Sequence, residues 1–92
     1  MKKIINCKLY DTDTSTLIFE KVKTYEKSET KENIPDVVTR VYQSKNKELY
    51  VYQEIDGKSD IFLDTKERII DFIASLDIDK ALELFPLEIT EA

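Results

Sequence analysis

The chain has 92 residues, of which 41% are hydrophobic and 36% charged, with a formal net charge of −5, one cysteine and no histidine. A chain of this length supports one small domain that buries about 60 to 65% of the surface exposed by its unfolded form, so a deep active-site cleft is not expected. Missing histidine removes the commonest general base and the usual zinc ligand sets, while the Ile, Leu, Val, Phe and Tyr content is enough to drive folding.

The charge is unevenly placed. Residues 1 to 58 hold 11 Lys/Arg against 10 Asp/Glu, whereas residues 59 to 92 hold 3 against 9. Such asymmetry bears on partners more than on fold, and it disfavours duplex DNA as a ligand of the second half. The opening "MKKIINCKLY" has neither a long apolar run nor a small-residue cleavage site, and no stretch reaches the roughly 20 apolar residues that span a bilayer. A cytoplasmic chain with no membrane partner is expected.

In chain order, Ile5, Cys7 and Leu9 alternate with polar neighbours and predict a first strand; Leu17 and Phe19 resume the alternation after "DTDTST" and predict a second. Pairing Leu9 with Leu17 sets Cys7 opposite Phe19 and Ile4 opposite Val22, keeping the apolar side chains together. Cys7 then reads as a small core residue, and without a second cysteine it forms no intrachain disulfide. Residues 26 to 36, "EKSETKENIPD", predict a charged surface loop.

"VVTRVYQ" and "ELYVYQEI" predict a hairpin across a three-residue "KNK" loop. Its register sets Val41 against Val51, Val37 against Ile55, Tyr42 against Tyr50 and Arg40 against Tyr52. Asp56 and Gly57 predict a two-residue primed turn into a short strand "DIFL", with Val51 facing Phe62 and Tyr50 facing Leu63. From Asp64 the period changes. "DTKE" reads as a helix start with Asp64 as cap, followed by Ile69, Ile70, Ile73 and Leu76 at helical spacing. A second helix is capped by Asp77, turns Ile78, Ala81, Leu82 and Phe85 inward, and ends at Pro86. The expected fold is α+β: a small antiparallel sheet of about five strands (residues 1–63), two helices packed on one face of it (64–86) and a fraying tail (87–92), within one domain over residues 1–92.

Three motifs match a known signature only in part. "LYDTDT" has the aspartate spacing of haloacid dehalogenase phosphatases, but it opens β-hairpins rather than a parallel α/β sheet, so Asp11 and Asp13 read as turn formers. An EF-hand loop would need glycine at Thr16 and glutamate at Val22. "DGKS" lacks the first P-loop glycine, since that position is Tyr52. No catalytic, cofactor or metal residue is assigned.

Two surfaces are candidates. Arg40, Tyr42, Tyr50 and Tyr52 share one sheet face, the pattern with which small folds stack single-stranded bases. Because Ile61 and Leu63 continue that face, a helix laid over it is expected to make the tyrosines core with their hydroxyls at the rim. Lys21, Lys23, Lys27 and Lys31 read as a solvated face. The second surface is acidic. Asp71, Asp77, Asp79 and Glu83 sit on the predicted helices, most at caps or exposed positions where interaction with a helix N-terminus explains them without a ligand; the alternative reading is that they meet a basic groove on a protein partner.

With "KLYDTDTSTLI" as a first hairpin, "VYQSKNKELYVY" as a second and "LDTKERIIDFIASLDID" leading into the helices, the chain resembles small uncharacterised proteins of bacterial phages and mobile elements. Those carry a "YDTxTA"-like turn, with Ser15 here in place of the common Ala, and a Gly-rich segment that is shortened here to "EIDGKS". The resemblance implies an accessory role such as inhibition of a host defence enzyme, CRISPR nucleases included; with no nucleophile and base pair in the sequence, a non-enzymatic binding protein whose partner is a host protein is expected. A single-stranded nucleic acid is the alternative partner, and a homodimer is compatible with either.

Overall fold

The computed structural model describes residues 1–23 and 36–92. In chain order the elements are β1 (Lys2–Ile5), β2 (Lys8–Asp11), β3 (Thr16–Lys23), β4 (Val37–Gln43), β5 (Leu49–Ile55), β6 (Lys58–Phe62), α1 (Lys66–Leu76) and α2 (Ile78–Leu84). The fold is α+β, with six strands among the described residues in two antiparallel sheets: the hairpin β1-β2, and a four-stranded sheet ordered β3-β4-β5-β6. The loop predicted over 26 to 36 lies outside the described residues as far as position 35, and so do Lys27 and Lys31.

The large sheet follows the predicted register. Val41 faces Val51, Val37 faces Ile55, Tyr42 faces Tyr50 and Arg40 faces Tyr52. Ser44 and Glu48 close the loop, Lys47 takes the left-handed conformation at φ 64°, and the Ser44 hydroxyl accepts from the Glu48 amide. Asp56 and Gly57, at φ 52° and 74°, form the primed turn that sets Val51 against Phe62. Gly57 is the residue type for which that turn costs least. The sixth strand stops at Phe62, so the predicted pairing of Tyr50 with Leu63 is not made.

The first hairpin differs from the expectation. Asn6 and Cys7 both adopt positive φ, 52° and 62°, and turn the chain there, so "KKII" pairs with "KLYD" and Ile4 faces Leu9. β3 pairs instead with β4, its Phe19 against Val41, and Ile18 is the extra residue of a bulge. Cys7 is therefore an exposed turn residue and not core. Asparagine tolerates the left-handed region at the first turn position, while the second carries a cysteine where glycine is usual.

Asp11 ends β2 and builds the next turn. Its Oδ1 accepts from the Asp13 amide at 3.0 Å, and its carbonyl accepts from the Thr14 amide at 3.2 Å and the Ser15 hydroxyl at 2.7 Å. Both of its polar ends are thus used in turning the chain, which is the role read from the sequence.

The large sheet is covered on both sides by different layers. On one face Val41 and Val51 pack with Ile69 and Ile73 of α1 and Ala81 and Phe85 at α2, and Phe19 meets Phe72 edge-on with ring centroids 6.1 Å apart. On the other face Tyr42, Tyr50 and Ile61 pack with Tyr10 of the hairpin. The helices do lie on one face, as predicted, but the tyrosine face is covered by β1-β2 and not by a helix. The reason is the alternation of the strand: Tyr42 and Tyr50 point opposite to Val41 and Val51, and the helices take the aliphatic side.

Helix α1 is capped by Thr65, whose hydroxyl accepts from the Arg68 amide, and not by Asp64, which accepts from the Thr65 amide and pairs with Arg68. Asp77 caps α2 as predicted, accepting from the Lys80 amide, and its own amide closes α1 on the Ile73 carbonyl. Beyond α2 the tail is tied down at first: Glu88 pairs with Lys66, and the Ile89 amide donates to the Phe85 carbonyl.

Candidate protein interface

Helix α2 carries more apolar side chain than its one packing layer can take. At about 100° per residue, Leu84, Ala81, Phe85, Ile78 and Leu82 spread over an arc of about 160°. A surface helix buries a stripe of about 100°. Ala81 and Phe85 take the inward part, while Ile78 is 64% and Leu82 47% exposed. That corrects the expectation that all four face the core. Ile78 and Leu82 are four residues apart, so they stand one above the other as a short apolar ridge.

Acidic groups flank this ridge. Asp79 and Glu83 have the same spacing one residue on, and both are exposed. Glu83 reaches Lys80 at 3.6 Å, whereas Asp79 has no ion-pair partner among the described residues. Asp77, between the helices, is committed through its carboxylate to the Lys80 amide at 3.0 Å. Asp71 stands on the exposed side of α1, also without an ion-pair partner among the described residues. The structure thus gathers Asp79 and Glu83 on α2 with Asp77 as its cap, and leaves Asp71 on the neighbouring helix. The ridge was the part that sequence reasoning missed, and the excess width of the apolar arc was its available signal.

The aromatic stripe is not an open platform. Tyr50 is 0% exposed and Tyr42 is buried, their rings stacked at 5.5 Å beneath the hairpin. Arg40 lies over the Tyr52 ring at 5.4 Å from its centroid and pairs with Glu20 at 2.6 Å. Two of the four residues are therefore shut in. The Tyr50 hydroxyl donates to Ser15 Oγ at 2.6 Å, and burial pushes its ionisation upward.

Polar contacts hold the hairpin down. Lys8 pairs with Glu48, to which the Tyr10 hydroxyl also donates at 3.2 Å, and Lys3 reaches Asp60 at 2.7 Å and the Ile61 carbonyl at 3.0 Å. The hydrogen bond from Lys8 lowers the Glu48 pKa, and the one from Lys3 lowers that of Asp60. Among the described residues no group of three or more His, Cys, Asp or Glu side chains is placed to hold a metal ion, and no helix is long and apolar enough to cross a membrane. Comparison with protein-family models, with curated proteins and with solved structures gave no match.

Proposed function

We propose that this chain is a non-enzymatic binding protein that docks through α2 onto a basic, partly apolar surface of a protein partner. The observation that carries the reading is the exposed Ile78-Leu82 ridge beside Asp79 and Glu83. Apolar contact supplies affinity at the centre of such an interface, while the acidic flank steers a basic partner and fixes its orientation. In the setting implied by the resemblance to phage and mobile-element accessory proteins, the partner is a host defence or nucleic-acid enzyme, and the bound chain inhibits it. A base-stacking role for Arg40, Tyr42, Tyr50 and Tyr52 is the weaker reading, because the hairpin would first have to leave Tyr42 and Tyr50.

The test is affinity capture from a host lysate, with and without nuclease treatment, using the parent chain and an Ile78→Ser/Leu82→Ser variant. Both positions are exposed, so the variant is expected to fold with parental stability within about 0.5 kcal/mol. A partner retained after nuclease treatment by the parent and lost by the variant supports the reading. A partner lost on nuclease treatment, or held equally by both chains, rejects it.

A further inference from the structure

Strand β6 ends the large sheet, and among the described residues no strand lies on its outer side. Along such an edge, alternate residues turn their amide and carbonyl toward the neighbouring strand and away from it. The two-residue turn at Asp56 and Gly57 makes Ile55 and Lys58 the first bonded pair, so the backbone of Lys58, Asp60 and Phe62 faces β5 and that of Ser59 and Ile61 faces outward. Open edges of this kind are templates on which another chain pairs.

At Ile61 the edge is shut. Its amide donates to Asp60 Oδ1 at 2.8 Å, and its carbonyl accepts from Lys3 Nζ at 3.0 Å. Lys3 also donates to the same Asp60 oxygen at 2.7 Å. Ile61 is 0% exposed, backbone included. Lys3 comes from β1, on the tyrosine face where Ile61 packs, whereas Asp60 belongs by alternation to the helix face, two residues from the Phe62 that pairs with Val51. The ammonium therefore lies across the edge itself. Both groups that an added strand would bond at Ile61 are in use, which leaves such a strand only Ser59 within β6. The hairpin that carries Lys3 shares no ladder with the large sheet, so this cover lifts without breaking a strand pairing.

We infer that Lys3 and Asp60 guard the outer edge of β6, and that with the guard removed two copies of this chain join there, β6 against β6, in one continuous antiparallel sheet. A two-fold axis at Ser59 pairs that residue with its own counterpart, as a closed symmetric dimer requires. It also sets Lys58 of each copy directly opposite Asp60 of the other, so the carboxylate that Lys3 releases meets a second lysine. Opposite charges directly across two strands stabilise their pairing. In the same register Gly57, which has no side chain, stands beside the covered Ile61. No residue of α2 takes part, so this edge and the Ile78-Leu82 ridge are independent surfaces.

The experiment is sedimentation velocity on the full chain over a wide concentration range, with Lys3→Met and with Lys3→Met/Ser59→Pro. Methionine keeps much of the apolar stem of Lys3 and removes the ammonium. Proline at position 59 takes away an outward amide, a loss that an edge strand tolerates and an added strand does not. The parent is expected to stay at 10.8 kDa over concentrations at which Lys3→Met moves toward twice that mass. Pairing should tighten by about tenfold or more, the scale of one hydrogen bond to a charged group, and adding Ser59→Pro should abolish the gain. Equal masses for the parent and Lys3→Met overturn the inference. So does association that survives Ser59→Pro, which would place the contact elsewhere, and so does a Lys3→Met chain that has lost its far-UV circular dichroism, which would make Lys3 a support of the fold and not a guard.

Discussion

Tyr10 of the hairpin meets Tyr50 of the large sheet edge-on, with ring centroids 5.2 Å apart and planes at 66°. This contact, with Ile61 beneath it, joins the small sheet to the large one and turns a tyrosine-rich face into core. Edge-on packing adds about 0.5 to 1.5 kcal/mol to the area such rings bury.

Removing the ring tests that role. Tyr10→Ala should cost about 3 kcal/mol, as for other large buried aromatic side chains. Tyr10→Phe keeps the ring and loses only the bond to Glu48, at a cost of about 1 kcal/mol or less. Urea unfolding midpoints measure both. Equal effects would mean that the hydroxyl and not the ring holds the hairpin.

The turn at Asn6 and Cys7 makes a second prediction. Cys7 sits at φ 62° with its side chain exposed, a conformation that costs an L-residue about 1 kcal/mol and glycine nearly nothing. Cys7→Gly should therefore raise stability by about 0.5 to 1 kcal/mol. A destabilised variant, measured in the same urea titration, would show that the thiol packs against something the turn geometry does not require.

The same turn explains where the sequence misleads. The hairpin β4-β5 was legible because Val41, Tyr42, Tyr50 and Val51 match on both faces in one register and "DG" marks the following turn. "NC" carries no comparable signal. Alternation through Ile5, Cys7 and Leu9 continues unbroken across it, so one strand was read where two exist. The cover of the tyrosine face was illegible for a related reason: which layer takes which side depends on the split hairpin. For the candidate interface, the acidic residues of α2 were visible in the charge count. Exposure of Ile78 and Leu82 was not, because it depends on how much of a short helix the sheet can bury.

Acid should loosen the hairpin first. Glu48 and Asp60 have lowered pKa values through the hydrogen bonds from Lys8 and Lys3, and Glu88 through that from Lys66. A carboxyl whose pKa is lower folded than unfolded adds stability above its unfolded pKa, and the gain is lost as pH falls through the folded value. Lys8 moves the other way: its pKa is raised, so its share is lost only at alkaline pH, past the ordinary lysine value of about 10.4. These groups are exposed, so each contribution is small and screened by salt. Unfolding midpoints at pH 7, 5 and 3.5 should fall, less steeply in Glu48→Gln and less steeply at high salt. A slope unchanged in Glu48→Gln would remove that carboxylate from the latch.

If a partner covers the outer side of α2, as we propose, hydrogen-exchange mass spectrometry of the chain with its captured partner will locate it there. Slowed exchange is predicted over residues 76–84, with the β1-β2 hairpin unchanged. Slowing confined to the hairpin, with residues 76–84 exchanging as in the free chain, would place the partner elsewhere and rule out α2 as its docking surface.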